Sequence, residues 1–242
     1  MTVLKLTTLS LMLAVTLGVA HAEDVITLPD VAITGSAAVT TDYLFRGISQ
    51  SSNNAAVQAS MTATHSSGLY GTLWGSSIAN GNGGAEIDLM LGYSMPINLG
   101  STQKATLDLG VMRYVYPGAN DTNNGSAFDP DYNELYASVA LPSVMMEGDT
   151  LKTGLAFSND YFNESDQFMY VYGSYSTPIT GTNFGLVSSV GYNRFDDNFK
   201  MNQALGTDPN AGDDYIDYKV GTTFGVQGLA AELAYAGTDL KN

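Results

Sequence analysis

Short runs of this chain alternate between two kinds of residue, and that period of two constrains the fold more than any other feature of the sequence. In 55–64, Ala55, Val57, Ala59, Met61 and Ala63 share one parity, while Gln58, Ser60, Thr62 and Thr64 occupy the other. In 86–95, Ile87, Leu89, Leu91, Tyr93 and Met95 oppose Glu86, Asp88 and Ser94. The same pattern runs through 37–45, 104–116, 132–142, 150–158, 167–177, 183–195, 215–224 and 228–236, and more weakly through 68–78. Successive side chains of a strand point to opposite faces, so these eleven runs read as strands with one apolar and one polar face. Each is about ten residues long, the length a tilted strand needs to cross a bilayer.

The connections point the same way. Links near 47–54, 79–85, 117–131, 159–166 and 196–214 are mostly long and rich in Asn, Asp, Gly and Ser. Those between them, near 65–67, 97–103, 143–149, 178–182 and 225–227, are short. Long and short links in alternation are the mark of an outer-membrane barrel with extracellular loops and periplasmic turns. Composition excludes the main competitors. Charged residues make up only 14% of the chain, against about 25% in an ordinary soluble domain. The absence of cysteine removes disulfide scaffolds, thiolate metal sites and cysteine nucleophiles. A net charge of -15, with 9 Lys and Arg against 24 Asp and Glu, leaves no basic patch for nucleic acid.

Residues 1–22 carry Lys5, an apolar stretch from Leu6 to Val19 and the small-residue end Ala20, His21, Ala22, which together read as a secretory signal cleaved before Glu23. The expected layout is a signal peptide over 1–22, a periplasmic segment over 23–35 and an all-β antiparallel transmembrane barrel over 36–242. Bacterial single-chain barrels have an even strand number and must close. Eleven strands cannot do both, so the expectation is a barrel of about 12 strands with its last one lacking here.

The runs TDYLFRGISQS at 41–51 and SGLYGTLWGSS at 67–77 resemble the opening of the TorF family of porin-like proteins. EIDLMLGY at 86–93, DLGVMRYVYPG at 108–118, NELYASVA at 133–140, VGYNRFDD at 190–197 and YIDYKVG at 215–221 are similar to its later blocks. The resemblance spans nearly all of 36–240. It implies an outer-membrane barrel and a passive pore, and it supplies no catalytic residues; the expected partners of such a barrel are outer-membrane lipid, small polar solutes or cations, and the barrel assembly machinery during insertion.

If the apolar parity faces lipid, the other lines the interior with Asp42, Arg46, Gln58, Glu86, Asp88, Asp108, Glu134, Lys152, Asp217, Lys219 and Glu232. Seven of these are acidic and three basic. Two readings follow: a porin-like channel for small polar solutes with a weak preference for cations, or a satisfied network that fills a non-conducting structural barrel. Tyr43, Phe45, Trp74, Tyr93, Tyr114 and Tyr116 are candidates for aromatic girdles at the membrane interfaces. Trp74 shares its parity with Tyr70 and opposes Leu69 and Leu73, so the lipid face of 68–78 is ambiguous. Arg46 is one of three arginines and needs an acid from a neighbouring strand or water. Arg113 shares parity with Leu109 and Val111, which places it at the headgroup boundary or after a bulge. Asp196, Asp197, Asp208, Asp213 and Asp214 crowd one outer link without the spacing of a calcium loop. His65, the one histidine after the leader, sits at a short turn beside Ser66 and Ser67, too little for a catalytic triad or a zinc site. No enzyme activity, metal or cofactor is expected.

Overall fold

The computed structural model of the chain describes residues 10–13, 30–100, 103–119, 129–208, 210 and 212–240. A four-residue strand, β1 (Ser10–Leu13), is followed by β2 (Val31–Thr40) and a small hairpin, β3 (Leu44–Phe45) and β4 (Ile48–Ser49). Then come β5 (Ala56–His65), β6 (Leu69–Ser77), β7 (Ala85–Leu99), β8 (Gln103–Val115), β9 (Tyr132–Pro142), β10 (Thr150–Ser158), β11 (Phe168–Pro178) and β12 (Phe184–Phe195). Helix α1 (Asn198–Leu205), β13 (Asp214–Val226) and β14 (Leu229–Thr238) complete the chain. β2 pairs with β5, and from β5 onward each strand pairs antiparallel with the next. The protein is therefore all-β, built on one sheet of eleven long antiparallel strands in chain order.

The first and last of eleven alternating strands run in the same direction, so β2 and β14 cannot form an antiparallel pair with each other. β1 lies between them, pairing Ser10 with Ala234 and Met12 with Glu232 on one side, and Met12 with Thr40 and Leu13 with Val39 on the other. The long strands by themselves remain an open sheet with this short bridge between its edges. Of the expected leader, only Ser10–Leu13 falls within the described residues.

Ten of the expected strands fall close to their predicted places. The first does not. It spans Val31–Thr40 rather than 37–45, so part of the expected periplasmic segment 23–35 is strand, while 23–29 lies outside the described residues. The sheet ends at Thr40, whose Oγ1 donates to the Asp42 carbonyl at 2.7 Å. The chain then turns inward and reverses at Arg46 (φ 49°) and Gly47 (φ 76°), positive φ at both central residues being what a two-residue hairpin requires. Period-two writing continued through this segment because a hairpin alternates as a long strand does.

The outer face is apolar on every strand: Val57 is 63% exposed, Leu135 62% and Val220 57%, and Ile33, Leu73, Leu89, Val111, Leu155, Val171, Val190 and Leu233 join them. The polar parity faces inward. Leu69 and Leu73 point out and Tyr70 and Trp74 in, which resolves the face of β6. The β7–β8–β9 register runs unbroken past Arg113, so no bulge occurs there, and Arg113 pairs with Asp131 at 3.1 Å where β9 begins.

The short turn 143–149 is held by one side chain. The Asp149 carboxylate accepts the Val144, Met145 and Met146 amides at 2.7–2.9 Å and the Tyr175 hydroxyl at 2.8 Å. Burial works against its charge, but these donors outweigh it and hold the carboxyl below its ordinary range.

Candidate functional site within the curled sheet

The sheet curls around the segment 41–55. Tyr43 packs on Trp74 of β6 with ring centroids 5.4 Å apart, Phe45 on Tyr114 of β8 at 5.8 Å, and the Tyr215 hydroxyl of β13 donates to the Arg46 carbonyl at 3.2 Å. Arg46, at the hairpin tip, reaches Glu134 of β9 with two parallel bonds, Nη1 to Oε1 at 2.7 Å and Nη2 to Oε2 at 2.8 Å. The Tyr114 hydroxyl donates to the same carboxylate at 3.0 Å. Both partners are nearly dry, with side chains 7% and 3% exposed. The guanidinium also lies 4.5–4.8 Å from the ring centroids of Phe45, Phe168 and Tyr170, a contact worth about 2 kcal/mol where water is excluded.

Gly47 is needed for more than its φ. A Cβ there would stand 2.5 Å from Thr238 Cγ2 and 3.0 Å from Asp217 Cβ, so the hairpin can lie against β13 and β14 only with glycine at this position. Asp42 fixes the base of the loop by accepting Ser49 Oγ at 2.6 Å and Ser51 Oγ at 2.9 Å.

Above the hairpin, on the side of the long links, an aromatic cluster fills the space. Tyr161 stacks on Phe168 at 4.0 Å, Tyr132 on Tyr114 at 4.3 Å, and Phe195 meets Phe168 edge-on at 4.9 Å. Burial pushes the Tyr161 hydroxyl up to about 12 against the pull of Arg46. Helix α1 adds Met201 and Ala204 to this cluster. Asp197 caps the helix by accepting the Lys200 amide, and Gly206 ends it in the left-handed region.

Below the hairpin the interior is polar and half-buried. Tyr70 and Tyr136 meet hydroxyl to hydroxyl at 2.5 Å, Tyr70 donates to Asp108 at 2.8 Å, and Lys219 pairs with Glu232 at 2.8 Å. Lys152 is also half-buried here, whereas Gln58, half-buried on the inward parity too, lies level with Ser76 and Glu86 near the outer end of its strand.

The expected interior residues thus fall into two groups. Asp42, Glu86, Asp88, Glu134 and Asp217 are buried. Glu86 accepts the Tyr116 hydroxyl at 3.2 Å, and Asp217 accepts Asn193 Nδ2 at 2.7 Å. Asp108, Lys152, Lys219 and Glu232 remain in the half-buried part, two acids against two bases. Glu86 and Asp88 therefore do not line an open path as expected.

The expected girdle is corrected at five of six positions. Tyr43, Tyr114 and Tyr116 are buried, Phe45 and Trp74 pack against the same core, and Tyr93 alone faces outward, 40% exposed. Aromatic residues at strand ends look alike in sequence whether they meet an interface or a plug. In the acidic link, Asp213 pairs with Arg194 at 2.8 Å, Asp214 accepts the Tyr192 hydroxyl and Asp208 accepts the Asn210 amide, so these carboxylates serve local structure. His65 Nδ1 and Ser67 Oγ lie 2.8 Å apart on an exposed turn. No group of three or more metal-binding side chains occurs among the described residues.

These features define an all-β protein whose sheet is apolar outside, polar inside and blocked on one side by its own loop. The chain belongs to the Gcw_chp family, described as bacterial protein of unknown function, with the match covering residues 28–242. No curated protein and no solved structure matches it.

Proposed function

We propose that the protein is a closed β-barrel of the bacterial outer membrane, a narrow porin-like passage for small polar solutes that loop 41–55 occludes at its outer mouth. The inverted sheet supports membrane insertion: an apolar band on every strand has no soluble counterpart of that extent. The resemblance to TorF proteins agrees with it. The observation that carries the functional reading is the Arg46–Glu134 pair, which ties an inward hairpin to a distant strand across the interior. Below that tie lies a polar, half-buried path, and above it a packed aromatic core. Passage requires the hairpin to leave. With two acids and two bases in the half-buried part, any cation preference arises from the acidic loops at the mouth rather than from Glu86 and Asp88.

The second reading, a non-conducting structural barrel, is favoured by the same dry core. Conductance in planar bilayers separates the two. Wild type is expected to stay closed for most of a recording, and a variant with residues 44–49 replaced by a Gly-Ser linker should show frequent steps. A linker variant that folds yet stays silent would establish the structural reading; wild type conducting steadily at the linker variant's level would remove loop 41–55 as the block.

A further inference from the structure

All five long links converge on one cavity of about 390 Å³ on the outer side of the aromatic core. Phe45 comes from the loop 41–55, Asn82 from 78–84, Tyr116 from the start of 116–131, Phe162 and Asn163 from 159–167, and Gln203 from α1. The volume lies within the range of small-molecule sites, which runs from about 300 to 1,000 Å³.

The cavity has a chemical character unlike its surroundings. The loops that build it carry Asp160, Glu164, Asp166, Asp196 and Asp197, yet no charged side chain lines it. Its floor is aromatic: the half-buried Phe162 is braced edge-on by the buried Tyr116 and Tyr132, and the half-buried Phe45 rests on Tyr114, so the rings are held in place before any ligand arrives. Its wall is amide. Gln203 Nε2 is anchored to the Asn163 and Glu164 carbonyls at 2.6 and 3.0 Å, which fixes the side chain. The Asn82 side chain makes no hydrogen bond among the described residues.

An ion finds no counter-charge here. A purely apolar ligand would strip water from amide groups without replacing it, at about 1–3 kcal/mol for each group left unpaired. A ring with an apolar C–H face and a rim of neutral hydroxyls satisfies both surfaces. We infer that this cavity is a binding site for a neutral saccharide unit, stacked on the aromatic floor and hydrogen-bonded by Asn82, Asn163 and Gln203. The site requires only the outer loops, so it stands whether or not the barrel conducts.

Saturation-transfer NMR and calorimetry on the full chain in a detergent without a sugar headgroup test this, using methyl β-D-glucopyranoside as the neutral probe and glucuronate, glucosamine and toluene as comparators. The glycoside is expected to bind with a millimolar Kd and the other three at least several-fold more weakly. Asn82→Ala should weaken glycoside binding roughly fivefold, the loss of one hydrogen bond. Phe162→Ala should weaken it further, with Phe162→Tyr restoring it. Gel migration with and without heating verifies that each variant is folded. Absence of binding to folded wild type, equal or tighter binding of glucosamine, glucuronate or toluene, or indifference to both Asn82→Ala and Phe162→Ala would each overturn the site.

Discussion

Arg46 and Glu134 form a bidentate pair in a nearly dry place, with the guanidinium Nε left without a hydrogen bond among the described residues, and such a pair is costly to break from one side only. Arg46→Met strands a buried carboxylate and is expected to cost about 3–5 kcal/mol of stability. The double variant Arg46→Met, Glu134→Leu removes both charges and should recover most of that loss. Urea unfolding of the reconstituted protein measures the cycle; equal costs for the single and double variants would mean that the stranded carboxylate is not what destabilises the single variant. A second residue-scale device sits lower in the interior. Tyr70, Gly92, Gly110 and Tyr136 lie in register across β6, β7, β8 and β9, and the two rings meet over the two glycines. A Cβ at Gly110 would collide with the Tyr136 hydroxyl and ring and also with the Leu91 backbone carbonyl. Gly110→Ala should therefore lower stability, and Tyr136→Ala in the same chain should relieve the part of the strain due to the ring, leaving the clash with the Leu91 carbonyl, while losing the hydroxyl contact. Additive losses in the double variant would contradict this close approach.

At the scale of elements, the short turn 143–149 gives a pH prediction. Asp149 has a folded pKa held below its unfolded value, near 3.9 for a free aspartate. Its contribution is thus complete above that unfolded value and is lost as pH falls through the folded one. Asp149→Asn should flatten the acid limb of the stability profile below about pH 4 and lower stability at neutral pH. An unchanged acid limb would mean the turn does not depend on the charge. The strands and links were legible because parity and turn chemistry are local. The inward hairpin was not: its place is decided by Gly47 meeting Asp217 and Thr238, contacts between opposite ends of the chain. Helix α1 left a clearer trace, with Asp197 and Gly206 bracketing a segment that carries Met201 and Ala204 on one side. A link rich in Asn and Asp concealed that bracket.

At the scale of the whole molecule, the division into an apolar outside and a polar inside was readable strand by strand, since it needs only the period of two. The blocked interior was not, because Tyr43, Phe45, Trp74, Tyr114 and Tyr116 have the same identities in a girdle as in a core. Burial of Glu86 and Asp88 likewise follows from the loop that folds over them rather than from β7 itself. The central claim is that the outer face meets lipid. The chain has no cysteine, so single spin labels can be placed without further change. In β12, Leu186, Ser188 and Val190 share the outward parity, with Val187 and Ser189 on the inward one. Electron paramagnetic resonance on labels at these five positions in proteoliposomes would read oxygen and nickel-chelate accessibility. Oxygen accessibility should peak at 186, 188 and 190 and fall at 187 and 189, with Ser188 behaving as lipid-facing despite its hydroxyl; nickel-chelate access at the three outward positions, or no alternation at all, would contradict a membrane-spanning sheet.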